Sequence, residues 1–102
     1  MTSSDATGQA ILALARSMGE LQQKAAREYK PVVDDILRTG SQDVRHIEHT
    51  LDRLLDFCGY EPVLRMYKKL CCHYWDIDPA ATAYYVSAYR EHWDGDEQAS
   101  QP

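Results

Sequence analysis

The chain has 102 residues, 44% of them hydrophobic and 26% charged, which fits one globular domain over residues 1–102 and excludes a disordered chain. The net charge is −5, and its distribution is uneven: residues 1–75 carry ten acidic and ten basic groups, while residues 76–102 carry Asp76, Asp78, Glu91, Asp94, Asp96 and Glu97 against Arg90 alone. An acidic balance of this kind argues against broad binding to a phosphate backbone, which needs clustered Lys and Arg, so nucleic acid is not the expected partner.

Residues 1–7 are polar and read as a flexible lead-in, with Asp5 or Thr7 as a helix N-cap. Apolar residues then fall at Ile11, Leu14, Met18, Leu21 and Ala25, spaced 3, 4, 3, 4, which is one helix stripe. Pro31 lacks an N–H and disfavours the α region at Lys30, so the chain is expected either to kink there or to begin a new helix with Pro31 in its first turn. Val33, Ile36 and Leu37 carry the apolar face on to Gly40, a helix stop.

Ser41 or Asp43 can cap the next helix, whose stripe Val44, Ile47, Leu51, Leu54 and Cys58 repeats the 3, 4, 3, 4 spacing before Gly59. Pro62 suits a first helical turn, and Val63, Tyr67, Leu70 and Tyr74 line one face, with Leu64 and Cys71 beside them. Asp78-Pro79 combines a capping carboxylate with a proline at the first helical position. The last helix carries Ala81, Tyr85, Ala88 and His92 on one side, and Val86, Tyr89 and Trp93 on another. Gly95 closes it, and residues 95–102 read as a flexible polar tail. The fold class is therefore all-α, a small compact bundle of four to five short helices.

Cys58, Cys71 and Cys72 are an odd set, two of them adjacent, and do not form a secreted disulfide framework. No Lys or Arg precedes Arg16, and the longest apolar run near the start, Ala10–Ala15, is too short for a signal core or a membrane span. The expected setting is cytoplasmic, with no membrane association.

Three groups of side chains are candidates for function. Eight of the ten aromatics lie between Tyr60 and Trp93, and Tyr and Trp suit a surface that is wet alone and buried when bound. The preferred function is accordingly a non-enzymatic protein–protein interaction or regulatory module. Its surface would be Tyr84, Tyr85, Tyr89 and Trp93, rimmed by Asp94, Asp96 and Glu97. Two apolar sides on the last helix exceed what one core needs, so a homodimer through that helix, with Trp93 in the contact, is expected beside a protein partner.

The alternative is a metal-binding or catalytic bundle centred on His46, His49 and Asp52, which share one helix face at a spacing of three. Asp43-x-x-His46 echoes the carboxylate–histidine pairs of di-iron bundles, but no second helix carries a matching pair. No cofactor is expected. A weaker alternative is an anion or nucleic-acid contact on the ridge Arg65, Lys68 and Lys69. A helix-turn-helix drawn over residues 62–93 would have Arg90 as the sole cation on its reading helix.

Overall fold

The chain folds into four helices, α1 (Thr2–Thr39), α2 (Val44–Leu55), α3 (Glu61–Trp75) and α4 (Pro79–Trp93). The structure is a computed structural model that describes residues 2–93, with side chains from Thr7 onward. The all-α expectation holds, with no strand among the described residues. Gly95, Asp94, Asp96, Glu97 and the rest of the expected tail lie outside them.

The largest departure from expectation is α1, a single helix of 38 residues. It begins at Thr2, ahead of the expected cap, so residues 2–7 are helical. It also runs through Pro31, where a kink or a second helix is predicted. Proline removes the hydrogen bond to the carbonyl four residues back, that of Arg27. Both Pro31 and Arg27 are exposed, so the freed carbonyl faces solvent and the helix continues on its buried side, Ala25, Val33 and Ile36. The helix stops at Gly40, whose φ of 62° lies in the left-handed region. There the Ser41 N–H donates to Ile36 O (3.1 Å) and the Gly40 N–H to Leu37 O (3.4 Å). This pair of bonds is the Schellman ending, and it satisfies carbonyls that would otherwise lack partners.

The remaining helices are bounded by local chemistry. The Asp43 carboxylate accepts from the His46 N–H (3.2 Å) to start α2. That helix ends at Leu55, and Cys58 reaches the core from the turn that follows, not from the helix itself. Pro62 sits in the first turn of α3. Asp78 caps α4, its Oδ1 accepting from the Ala81 N–H at 3.0 Å.

Helix α3 is the central element, packing against each of the other three. The core comprises Val33 and Ile36 from α1, Ile47, Leu51 and Leu54 from α2, and Val63, Met66, Tyr67, Leu70, Cys71 and Tyr74 from α3, with Cys58 from the α2–α3 turn and Tyr85 from α4. Buried tyrosines stitch the helices together. Tyr67 donates to the Tyr85 carbonyl (2.6 Å), Tyr85 to the Glu48 carbonyl (3.5 Å), and Tyr74 to the Glu48 carboxylate. Each buried phenol therefore has a partner, as burial without cost requires.

The molecule is elongated. Its longest dimension, 58 Å, matches the ~57 Å expected of a 38-residue helix. The radius of gyration is 17.0 Å, against about 13 Å for a compact chain of this size. The excess comes from α1, whose first half projects beyond the other helices: every described side chain from Thr7 to Met18 is exposed.

Candidate functional site

The expected aromatic surface on α4 is split by the fold. Tyr85 is 5% exposed and belongs to the core, so it is not a surface residue. Helical geometry gives the reason: α4 has to turn one side to α3, and Tyr85 with Thr82 forms that side. Tyr84 is exposed, its ring edge-on to Tyr85 with centroids 5.2 Å apart. Trp93 folds back on its own chain and donates from Nε1 to the Leu55 carbonyl (2.9 Å) at the α2 C-terminus, which also accepts from the Cys58 N–H at 3.5 Å. Its ring lies against Gly59, where a Cβ would meet Trp93 Cζ3 at 2.7 Å. Tyr89 is half-buried against Tyr67, centroids 6.1 Å apart.

The other candidate groups are also separated. His46, His49 and Asp52 are all exposed on α2, and Asp43 is engaged as a helix cap. Among the described residues no group of three or more His, Cys, Asp or Glu side chains is placed to hold a metal ion. His73 is tied to the α1–α2 connection, its Nε2 2.7 Å from the Ser41 carbonyl oxygen. The Arg65, Lys68 and Lys69 ridge divides: Arg65 and Lys69 border a hollow against α1, with Lys30 and Asp34 on its far side, while Lys68 faces α4. Arg65 Nε also pairs with Glu61 Oε1 at 3.3 Å.

What the fold assembles instead is an apolar groove between α3 and α4. Two adjoining hollows of about 390 and 350 Å³ share Cys71, Cys72 and Val86. Leu64, Tyr67 and Tyr89 complete one, and Trp75 and Thr82 the other. The α3 residues Leu64, Tyr67, Cys71 and Trp75 recur at helical spacing along the edge of the core face: Tyr67 and Cys71 are buried in the core, and Leu64 and Trp75 extend that face outward. The width of the apolar face on α3 is the signal by which sequence reasoning could have found this groove. Trp75 is 54% exposed and Val86 43% exposed, although both are large and apolar. Two cations, Lys68 and Arg90, stand on its border. Tyr84 lies about 200° around α4 from Val86 and is not part of it.

The groove also separates the cysteines. Cys58 and Cys71 are buried, and burial pushes both thiols up to about 12, from an ordinary value of 9.0. Cys72 is the exposed member, at the centre of the groove. Among the described residues no helix is long and apolar enough to cross a membrane. No known protein family, characterised protein or solved structure matches the chain.

Proposed function

We propose that the protein is a non-enzymatic interaction module that docks an amphipathic segment of a partner protein in the α3–α4 groove. The single observation that carries this is the joint exposure of Trp75 and Val86 over a continuous apolar floor. Exposed large side chains gathered in one concavity mark an interaction surface, whereas scattered ones do not. Lys68 and Arg90 favour a segment with acidic residues beside its apolar anchors, because complementary charge sets orientation and encounter rate. A helix offering anchors at i, i+3 and i+4 matches a groove that is itself formed by two helices.

Selection of a displayed peptide library against the full chain tests this. Enriched peptides should carry apolar residues at helical spacing flanked by Asp or Glu. They should lose binding to a Val86→Arg variant and to protein alkylated at Cys72, the one exposed thiol. Truncating a central anchor commonly weakens binding by a factor of about 30 or more. If no peptide is enriched, or if the enriched peptides bind the blocked groove equally well, the proposal fails. Competition by a synthetic peptide of residues 94–102 would instead identify the chain's own acidic end as the occupant.

A further inference from the structure

We infer that the projecting half of α1 is an antiparallel self-association arm, its occupant a second copy of this chain. Ile11, Leu14, Met18 and Leu21 are each more than half exposed and lie on one stripe. They continue the line of Ala25, which is buried against the bundle. Their 3, 4, 3 spacing is that of a two-helix seam, with Ile11 and Met18 at one core position and Leu14 and Leu21 at the other. A helix in water draws most of its stability from packing an apolar face, and none of the described residues buries this one.

Three features favour a second copy over any other occupant. Four of the positions flanking the seam, Gly8, Ala10, Ala15 and Ser17, are small and uncharged, and the charged one, Lys24, pairs with Glu28 on its own helix (3.8 Å), so two identical arms approach closely without like charges meeting. A Cβ added at Gly8, one of these flanking positions, would have nothing within 4 Å, so that edge of the seam stands open. The only charges from Thr7 to Gln23, Arg16 and Glu20, lie outside the seam and cancel, which removes the basic character that draws a helix to an anionic membrane.

The fold also sets the orientation. The α2–α3 side of the bundle packs on α1 from Ala25 onward, on the stripe side. Parallel arms would drive the two bundles into the same space, whereas antiparallel arms put them at opposite ends. Two-fold pairing of this kind closes on itself and needs one self-complementary face. It is independent of the α3–α4 groove and would present that groove twice.

Sedimentation equilibrium of the full chain tests the inference. The wild type should be dimeric at high micromolar concentration. Leu14→Asp, and separately Met18→Asp, should shift it to monomer while the thermal transition of the bundle persists. Loss of one anchor corresponds to about 30-fold in dissociation constant, and symmetry counts it twice, giving about 1,000-fold. Orientation is read from spin labels on a Gln23→Cys, Cys72→Ser chain: antiparallel overlap of the arms separates the labels by about 23 Å, against about 10 Å between parallel helices. A monomeric wild type, a dimer that both arm variants leave intact, closely spaced labels, or an arm that binds phosphatidylserine vesicles instead of pairing would each overturn it.

Discussion

Trp93 shows how one side chain changes role once its surroundings are known. By spacing it belongs to a spare apolar side of α4, free for a partner. In the fold its indole N–H satisfies the Leu55 carbonyl, and its ring occupies the space above Gly59. Glycine is required there for close approach, since an added methyl would sit 2.7 Å from the ring. Gly59→Ala should therefore displace the indole and break its bond to Leu55, at a cost of about 1 kcal/mol. That corresponds to a melting point lower by roughly 4–8 °C. Placed in a Trp93→Ala background, the same substitution should be nearly neutral, because residues in contact couple. Equal losses in both backgrounds, measured by thermal melts, would show that the two do not touch.

At the scale of elements, the helix ends were set by short-range chemistry and the long helix was not. Gly40, Asp43, Pro62 and Asp78-Pro79 all act where sequence places them, because caps and turns depend on one or two neighbouring residues. Pro31 is the exception: its local penalty is outweighed by the burial of Ala25, Val33 and Ile36 on the opposite side of the same helix. It follows that Pro31→Ala should stabilise the protein. The gain should be about 2 kcal/mol, being the ~3 kcal/mol cost of an interior proline less the up to ~1 kcal/mol by which proline restricts the unfolded chain. Urea unfolding would check this, and an unchanged or lower midpoint would mean that α1 is not one cooperative helix.

For the molecule as a whole, the core is unusually rich in weakly acidic groups, and that sets its response to alkali. Burial raises the thiols of Cys58 and Cys71 and the phenols of Tyr67, Tyr74 and Tyr85, with the Glu48 carboxylate adding to the effect on Tyr74 and that of Asp52 on Tyr85. A group whose pKa is higher folded than unfolded keeps its proton after the unfolded chain has released it. Above the ordinary cysteine value of 9.0 the unfolded state therefore binds fewer protons, and stability falls as pH rises. Below 9.0 this contribution is fully present. It should decline first through the two thiols and then, above the ordinary tyrosine value of 10.0, through the three phenols. Denaturant midpoints across that range should drop progressively, and replacing Cys58 and Cys71 by Ala should delay the onset. A midpoint that stays level above pH 10.0 would contradict the burial of the phenols.

Helical period, caps and breakers were legible in the residues themselves, because each depends on neighbours within one or two turns: the stripes Ile11–Ala25 and Val44–Cys58, the stop at Gly40 and the cap at Asp78 are of this kind. Which stripe met which neighbour was not. The same periodicity put Ile47 in the core and Ile11 in solvent, and it could not say that Tyr85 would face α3 while Tyr84 turned outward. Nor could it join Trp75 to Val86 across two helices, or fold Trp93 onto Gly59. Spacing along a chain defines the faces of a helix, and only the packing of helices against one another decides which faces are covered. The helices and their faces were thus written locally, while the core, the groove and the projecting arm came from the tertiary arrangement that covered some faces and left others open.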